Sequence, residues 1–481
     1  MKSEIWILAS EMTPLAKTGG LGDVMGGLPP ALARLGYPVR VFLPAYGAMN
    51  REGFSHEGGN LAVPLGPARV PARLLSRTEP SGLRITLIEC DEFFARLPLY
   101  DDGHREFADN ARRFIFFTRA VCELARRSER PPAIVHANDW QTALAPLLLE
   151  LFPPVGGPPK RVFTIHNLAY QGRFGHWEAD WMGLTASQWE RAWRADGLED
   201  CGGVNFLKAG VAWADRITTV SPTYAREILQ PDQGQGIHEL LRSRAGAIHG
   251  VLNGADYETW NPATDPYLPR GFDHDSMQHK LENKSALRAR LGLPPSHRPL
   301  IGMVSRLTWQ KGIDLMARGA REMVDRGADL VFLGSGEPSY IRDIESLRAA
   351  LPHNVAVWIG FSEELAHLMT AGCDAIVMPS RFEPCGLTQL YAMRYGTLPI
   401  VHRTGGLVDT VSDLGDEGGT GFTFVGLADE RPLVEAVSRA VSVFNDEPEL
   451  WRAAQQRAMA QRFTWEDAAR HYGRLYEGLL S

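Results

Sequence analysis

One stretch, residues 376–409, constrains the fold more than any other part of the sequence, because it reads as a strand, a loop, a helix and a second strand. The apolar run at 375–378 is of the kind that is buried in a parallel sheet. After a loop at 380–386, apolar side chains recur at helical spacing, and Gly396 stands where a helix must turn left-handed and end. A second apolar run follows at 398–401. This order predicts an α/β fold with parallel strands.

The loop of this stretch predicts a ligand site. It carries one carboxylate, Glu383, which is followed by Pro384, Cys385 and Gly386. The first amides of the next helix, at 386–388, have no intrahelical partner and therefore favour an anion. A carboxylate beside an anion site suits a ligand that is hydroxylated at one end and phosphorylated at the other, such as a nucleotide sugar. An ordinary strand–helix turn with a surface glutamate is the alternative, and this segment alone leaves both open.

Length and composition limit the class of protein. At 481 residues the chain is too long for one hydrophobic core and fits two domains of ordinary size. The net charge of −7 argues against a nucleic-acid-binding face. Five cysteines without a Cys-x-x-Cys pair indicate reduced thiols. The first apolar run, at 4–9, is too short and starts too polar for a signal sequence or a membrane span, so we expect a cytoplasmic protein.

A glycine-rich turn follows the first apolar strand, at 5–9, and precedes a helix that we expect at 24–35. The turn holds one lysine, three glycines and an aspartate: Lys17, Gly19, Gly20, Gly22 and Asp23. Glycines between a strand and a helix let the backbone approach a ligand closely. The pattern is not Gly-x-Gly-x-x-Gly with a downstream acidic residue, which makes a nicotinamide cofactor a weak interpretation. A solvated loop lysine is the alternative for Lys17 alone.

Two further apolar strands in the first half end at candidate site residues. The strand at 134–137 leads to Asp139 and Trp140, and Asp139 is equally a candidate for the N-cap of the next helix. The strand at 161–165 ends in His166. Residues at the carboxyl ends of strands face the ligand crevice of open α/β sheets, which favours a site role for this histidine.

The second half repeats the alternation of strands and helices after Asn253 and Gly254, a turn signal at which we place the domain crossover. Arg306 and Lys311 lie in one strand-to-helix turn, where an arginine fork and a lysine point charge suit a pyrophosphate. Phe361 follows a later strand and offers a face on which a base can stack. No His, Cys or Asp cluster has the spacing of metal ligands, so we expect no metal site and no cofactor.

Three motifs, at 17–23, 305–312 and 383–391, resemble those of the bacterial glycogen (starch) synthases, and the resemblance spans nearly the whole chain. Those enzymes are retaining glycosyltransferases with two Rossmann-like domains that face each other across a cleft, the GT-B type of α/β fold. The resemblance implies an acceptor-side domain at 1–254 and a nucleotide-sugar-binding domain at 255–455. It also implies that a last helix, at 456–481, packs back on the first domain.

The resemblance further implies an activity and a set of site residues. The reaction would transfer glucose from ADP-glucose to the non-reducing 4-hydroxyl of an α-1,4-glucan with retention. The implied catalytic residues are Glu383, Lys311, Arg306, His166 and Asp139. The implied donor-binding residues are Lys17, Gly19, Gly20, Asn253, Phe361, Cys385, Gly386, Leu387, Thr388 and Tyr391. The implied acceptor-side residues are Asp23, Tyr100 and Trp140. For Cys385, which has no base beside it in the sequence, a packing role is preferred to that of a nucleophile.

The choice of donor depends on one position. Many retaining transferases of this architecture carry a second glutamate eight residues after the first, where it binds ribose, and here Tyr391 stands at that position. The branch that uses ADP-glucose shows the same replacement. A transferase that uses UDP-glucose or another acceptor is the main alternative. A carbohydrate-binding or regulatory protein with a lapsed active site is disfavoured, because Lys17, Arg306, Lys311 and Glu383 are all present.

Overall fold

The structure is a computed structural model, and it describes residues 4–102, 105–193 and 197–481. The chain divides into two units, which are Met1–Gly254 with Trp465–Ser481, and Ala255–Thr464. The sequence analysis ended the second domain at residue 455. That position lies inside a helix, Pro448–Ala460, and the division falls later, after residues 461–464, which belong to no helix or strand.

The first unit is built on a ten-stranded sheet and a three-stranded one, as counted over the described residues. Its strands are β1 (Ile5–Leu8), β2 (Val39–Pro44), β3 (Ser55–His56), β4 (Leu61–Leu65), β5 (Ala68–Thr78), β6 (Arg84–Glu89), β7 (Ile134–Asn138), β8 (Lys160–Ile165), β9 (Arg173–Gly175), β10 (Glu199–Asp200), β11 (Gly203–Asn205), β12 (Arg216–Thr219) and β13 (Ile248–Gly250). The large sheet has the order β13-β12-β8-β7-β1-β2-β6-β5-β3, with β4 paired to β5. The strands from β13 to β6 in this order pair in parallel, so their carboxyl ends meet at one edge.

Helices connect the parallel strands of the first unit. They are α1 (Gly20–Arg34), α2 (Asp91–Phe94), α3 (Asn110–Arg127), α4 (Ala145–Leu151), α5 (Ala186–Ala192), α6 (Phe206–Trp213), α7 (Pro222–Glu227) and α8 (His238–Ser243), with a 3₁₀ helix at His176–Met182. Caps mark several starts: the side chain of Asn205 accepts from Lys208 N, and that of Ser221 accepts from Tyr224 N. Within segments 4–102, 105–193 and 197–481, no helix combines the length and the apolar composition of a membrane span.

The second unit is built on a six-stranded parallel sheet. Its strands are β14 (Leu300–Val304), β15 (Asp329–Gly334), β16 (Val355–Ile359), β17 (Ala375–Met378), β18 (Leu398–His402) and β19 (Phe422–Phe424), in the order β16-β15-β14-β17-β18-β19. Its helices are α9 (Lys280–Leu291), α10 (Ile313–Asp325), α11 (Pro338–Ala350), α12 (Glu363–Gly372), α13 (Thr388–Arg394), α14 (Gly405–Thr410), α15 (Arg431–Asp446) and α16 (Pro448–Ala460). The strand–helix–strand unit read from residues 376–409 is therefore β17, α13 and β18, and Gly396 ends α13 with a φ of 62°.

The last helix, α17 (Trp465–Leu480), belongs to the first unit. Its Trp465 ring fills the space beside Gly27 on α1, where any side chain would overlap the indole. The Tyr476 hydroxyl lies 2.7 Å from His136 Nδ1 on the buried strand β7. Burial lowers the pKa of His136 to about 3, so this imidazole is neutral and serves as a hydrogen-bonding partner in the core.

Candidate active site

The carboxylate of Glu383 lies in the loop that follows β17 in the second unit, and its side chain is 5% exposed. Its Oε2 accepts hydrogen bonds from Lys311 Nζ at 2.6 Å and from Ser380 Oγ at 2.9 Å. A buried carboxylate needs such partners to remain ionised. The structure thus brings together two of the residues singled out in the sequence, a carboxylate and a cation, at the carboxyl edge of the sheet.

The turn that carries Lys311 is held by backbone packing. It is a 3₁₀ turn, Trp309–Lys311, and it ends at Gly312 in the left-handed conformation with a φ of 68°. A side chain at Gly312 would overlap the Pro379 carbonyl oxygen, so only glycine fits there. From the loop of Glu383, the Arg381 guanidinium donates to Trp309 O at 2.7 Å and pairs with Asp314. Lys311 is therefore held in place by the loop whose carboxylate it contacts.

The turn that carries Arg306 is packed in the same way. The glycine-rich turn after β15 lies directly against it, because a Cβ at Gly334 would overlap the Ser305 carbonyl and one at Gly336 would overlap the Leu307 carbonyl. Leu307 N also donates to the Ser335 carbonyl at 2.8 Å. Arg306 itself is exposed to solvent at the end of β14. A fixed backbone with an accessible guanidinium suits the binding of a charged ligand.

The segment at 385–388 is closed on one side by the start of α14. Side chains at Gly405 and Gly406 would overlap the carbonyl oxygens of Glu383 and Cys385. The amide of Gly406 donates to the Glu383 carbonyl at 3.0 Å, so it holds the backbone of the loop. The Cys385 side chain is buried against this contact, as a packing role requires.

Gln389 is a residue that the sequence analysis missed. Its fully buried amide nitrogen donates to Cys385 O at 3.0 Å and to Gly386 O at 3.1 Å, and lies 3.2 Å from Thr410 Oγ1 on α14. These contacts hold two carbonyls of the loop in place. A polar amide among the apolar positions of a helix is the signal that could have found it, because a buried amide needs partners.

The amides expected at the start of α13 lie where the sequence placed them. The first intrahelical bond of this region runs from Tyr391 N to the Leu387 carbonyl at 3.0 Å, so the amides of Leu387 and Thr388 precede the helical ladder. Tyr391 itself is buried, and its ring is stacked on Trp260 with centroids 4.3 Å apart. The structure therefore gives Tyr391 a packing contact. Phe361, by contrast, is 86% exposed after β16, as a stacking face requires.

A second cluster lies at the carboxyl ends of β7 and β8 in the first unit. His166 Nε2 donates to Asn138 Oδ1 at 2.9 Å, which leaves Nδ1 as the accepting nitrogen of the ring. Burial lowers the pKa of His166 to about 3, so the ring is neutral. The Asn138 amide nitrogen in turn donates to the Leu8 carbonyl at 3.1 Å. This cluster positions a neutral imidazole.

Asp139 belongs to the same cluster and is not an N-cap. Helix α4 begins later and is preceded by Leu144, whereas Asp139 adopts a left-handed φ of 55°. This conformation turns its carboxylate toward the end of β8, where Oδ1 accepts from His166 N at 2.8 Å. Burial raises the pKa of Asp139 to about 7, and the charge of Glu11 adds to the increase, while the amides of His166 and Asn167 oppose it. An aspartate in a rare backbone conformation at a strand end is typical of a functional site.

Glu11 was also missed by the sequence analysis. This carboxylate is 4% exposed and accepts from Thr18 N at 2.6 Å, Thr18 Oγ1 at 2.7 Å and Gly19 N at 3.0 Å. The Tyr100 hydroxyl donates to its Oε1 at 2.8 Å. Glu11 thus joins the glycine-rich turn to Tyr100, and burial raises the pKa of this tyrosine well above its usual value. A glutamate after a strand of four buried residues is the signal in the sequence.

Four other predicted residues also lie in the first unit. Lys17 Nζ pairs with Asp23 Oδ1 at 2.6 Å on the partly exposed glycine-rich turn. Trp140 is buried, with its ring at the edge of Phe114 at 5.1 Å between centroids, so most of its surface belongs to the core. Asn253 is buried after the edge strand β13. In the parts of the chain that the structure describes, no three His, Cys, Asp or Glu side chains are grouped as metal ligands.

Protein-family models match two parts of the chain. A model described as starch synthase catalytic domain matches residues 4–243, and one described as glycosyl transferases group 1 matches residues 286–457. Among curated proteins, the chain is 43% identical to a glycogen synthase of Anaeromyxobacter dehalogenans strain 2CP-C, over 99% of both chains. It is 42% identical to glycogen synthase 2 of Nitrosococcus oceani, over 99% of this chain and 98% of that one.

Solved structures match as well. The catalytic domain of starch synthase IV from Arabidopsis thaliana, bound to ADP and acarbose, superposes with a TM-score of 0.90 at 34% identity, over 100% of both chains. Sucrose-phosphate synthase from Thermosynechococcus elongatus has a TM-score of 0.61 at 19% identity, over 100% of this chain and 99% of that one. At that identity the second match shows the fold alone.

Proposed function

Since this chain belongs to the glycogen and starch synthase family of glycosyltransferases, with the GT-B fold, we propose that it transfers glucose from ADP-glucose to the non-reducing 4-hydroxyl of an α-1,4-glucan with retention. The observation that carries this proposal is the ion pair between Lys311 and Glu383, 2.6 Å long, beside the first amides of α13. The pair supports the proposal, because a carboxylate can accept hydrogen bonds from sugar hydroxyls and an adjacent lysine can neutralise a phosphate. The Arabidopsis relative was solved with ADP and acarbose, which supports an ADP-containing donor and a carbohydrate acceptor for this chain.

We assign the diphosphate of the donor to the second unit. Arg306 and Lys311 neutralise its charge, and the amides of Leu387 and Thr388 donate to its oxygens. As the bond to glucose breaks, negative charge grows on the leaving ADP, and these fixed donors stabilise it without reorganising. Glu383 accepts hydrogen bonds from the glucose hydroxyls, and Phe361 stacks on adenine.

We assign the sugar and the acceptor to the first unit. The neutral imidazole of His166 hydrogen-bonds glucose, and Asp139 lies in the same cluster. Lys17 and the glycines beside it contact the donor, and Asp23, Tyr100 and Trp140 form the acceptor side. The bond between the anomeric carbon and the β-phosphate oxygen breaks, with its electron pair going to ADP. The bond to the acceptor oxygen forms on the same face of the sugar, and the proton of the acceptor hydroxyl passes to the departing phosphate oxygen. These assignments rest on the family to which the chain belongs, whose reaction we propose for these residues.

Charge neutralisation by Arg306, Lys311 and backbone amides leads us to propose that the reaction needs no metal ion. Transfer assayed after exhaustive treatment with EDTA should keep its rate, and a loss restored only by a divalent ion would contradict this. All five cysteines are free thiols, which fits the reducing cytoplasm where we place the enzyme.

The proposal is tested by the incorporation of labelled glucose into glycogen from ADP-glucose and from UDP-glucose in one preparation. We expect kcat/KM to favour ADP-glucose by tenfold or more, which corresponds to about 1.4 kcal/mol. Equal use of both donors, or preference for UDP-glucose, would refute the donor while leaving the phosphate site standing. Absence of transfer from either donor would refute the synthase activity. Glu383→Gln serves as the inactive control, because it removes the charge that binds Lys311.

A further inference from the structure

At Gly19 and Gly20, the glycine-rich turn of the first unit lacks the packing that holds the charged turns of the second unit. Side chains added at Gly19 or Gly20 would meet no atom within 4 Å. At Gly312 and Gly405, by contrast, an added side chain would overlap a backbone carbonyl. Backbone packing thus fixes the turns near Lys311 and Glu383. The turn that carries Lys17 needs a different restraint.

The restraint in the structure is Glu11. Four donors converge on its carboxylate: the amide and hydroxyl of Thr18, the amide of Gly19 and the hydroxyl of Tyr100. The two backbone amides share Oε2 and the two hydroxyls share Oε1, so each oxygen is fully used. Over the described residues, no cation forms a salt bridge with Glu11. A buried carboxylate without a cation is costly unless it is fully hydrogen-bonded, so its charge is bound entirely to this turn and to Tyr100.

We propose that Glu11 is a positioning residue of the glucosyl transfer, whose carboxylate fixes the turn of Lys17 and the Tyr100 hydroxyl relative to each other. Tyr100 is held at its other end by the backbone, because its carbonyl accepts from Phe107 N at 2.9 Å and from Asn110 Nδ2 at 2.8 Å. Glu11 therefore ties an exposed turn to a fixed point of the unit. This inference rests on the proposed function, in which Lys17 contacts the donor and Tyr100 the acceptor.

Two variants of similar size separate positioning from charge. Glu11→Met removes every acceptor, so the amides of Thr18 and Gly19 lose their partner, and we expect kcat to fall about thirtyfold. Glu11→Gln keeps an oxygen for the two amides, and its amide group can donate to the two hydroxyls, so we expect kcat within about threefold of the wild type. Glu129→Gln, an exposed site on the same unit, is the matched control for charge removal. A wild-type kcat in Glu11→Met, or equal losses in the Met and Gln variants, would overturn the proposal.

The pH profile separates the charge of Glu11 from its hydrogen bonds to the turn. The charge of Glu11 contributes to the raised pKa of Asp139. Glu11→Gln removes that charge and lowers this pKa, so any limb of the profile that reports Asp139 should shift to lower pH. Glu11→Asp keeps the charge and should leave that limb in place, while its shorter side chain reaches the turn less well and lowers kcat about tenfold. If Glu11→Met does not fold, Glu11→Asp serves as the test of positioning. An unchanged kcat in Glu11→Asp would then overturn the proposal.

Hydrogen exchange of the peptide that contains Thr18 and Gly19 tests the inference apart from the activity. Measured without substrate, its amides should exchange at least tenfold faster in Glu11→Met than in the wild type and stay close to wild type in Glu11→Gln. Unchanged exchange in Glu11→Met would overturn the restraint itself. If the wild type transfers no glucose, the proposed function fails, whereas transfer by the wild type together with unaffected Glu11 variants refutes only the inference.

Discussion

Glycines serve opposite purposes in the two units. In the second unit, Gly312 and Gly405 have positive φ values of 68° and 46°, and their α-carbons press against backbone carbonyls of neighbouring turns. In the first unit, Gly19 is extended with a φ of −155°, and neither Gly19 nor Gly20 touches anything that a side chain would displace. Close packing therefore requires glycine at positions 312 and 405. At positions 19 and 20, the absence of a side chain leaves room that no other atom of the protein fills.

The difference teaches how each unit is prepared for its ligand. The turns of Arg306 and Lys311 are locked backbone to backbone, so these side chains start from fixed positions when a diphosphate arrives. The turn of Lys17 has no such packing at Gly19, and hydrogen bonds to the side chain of Glu11 hold it instead. Both lysines already have a carboxylate partner at 2.6 Å, so a ligand that recruits either one must replace that partner. The two units therefore differ in how the backbone of the charged turn is held.

The largest expected effect is the loss of stability when a packed glycine of the second unit is replaced. Gly405→Ala should destabilise the protein by about 4 kcal/mol, because the new methyl group overlaps the Glu383 carbonyl in a backbone conformation that disfavours side chains. Urea unfolding of the variant and the wild type measures this difference. Gly19→Ala is the matched control and should change the unfolding free energy by less than about 0.5 kcal/mol. Equal stability of Gly405→Ala and wild type would contradict the packing argument.

Removal of a preorganised charge should have the next largest effect. Lys311→Ala should lower kcat about a hundredfold, or about 3 kcal/mol, with a smaller change in KM for the donor, because charge on the leaving group develops in the transition state. Steady-state kinetics with ADP-glucose measures both constants. Lys160→Ala, at the exposed start of β8, is the control. A change in KM alone would mean that Lys311 only binds the ground state.

Replacing Gly19, which has no neighbouring atom at its Cβ position, should lower activity and leave stability unchanged. Gly19→Ala places a methyl group in space that the fold leaves empty, where we propose that the donor approaches the backbone. We expect kcat/KM for ADP-glucose to fall about tenfold, or about 1.4 kcal/mol, with the melting temperature unchanged. Full activity in this variant would show that the ligand does not use the space beside Gly19.

The smallest expected effect is on the pH dependence of stability, and it comes from a difference between the buried carboxylates Glu383 and Asp139. Glu383 has a cation as partner, whereas the hydrogen bond to Asp139 Oδ1 comes from a backbone amide. Because burial raises the pKa of Asp139 to about 7, the folded protein retains a proton that the unfolded chain has lost. This carboxyl therefore contributes stability below about pH 4, and the contribution is lost as pH rises toward 7. Urea unfolding at pH 6 and pH 7 should show a drop of about 1 kcal/mol that Asp139→Asn removes. A pH dependence that is identical in the variant would contradict the raised pKa.

The motifs and local periodicity predicted a large part of the fold. The predicted run at 375–378 is strand β17, the run at 398–401 lies in β18, and Gly396 ends α13 in the left-handed conformation. Helix α1 begins four residues before the predicted start at residue 24, because the helix takes in the glycines of the turn. The resemblance to the glycogen synthases, drawn from three short motifs, is confirmed by relatives at 42–43% identity. Short-range patterns carry this information, because capping and apolar periodicity act within a few residues.

The sequence also identified the charged residues of the candidate site, since Glu383, Lys311 and Arg306 stand at the ends of predicted strands. Their roles remain predictions. What the tertiary structure decided is which groups meet. Glu11 contacts Tyr100 across 89 positions of chain, and Lys311 contacts Glu383 across 72.

Tertiary packing also overrode one local interpretation, because Asp139 became a left-handed strand-end residue instead of an N-cap. It also decided that Tyr391 stacks on Trp260, a contact that no local pattern contains. Local sequence determined which segments form strands, helices and turns, because that depends on neighbouring residues. The partners of a buried carboxylate or an aromatic ring depend on which distant segments the sheet brings together, and no local pattern contains that information.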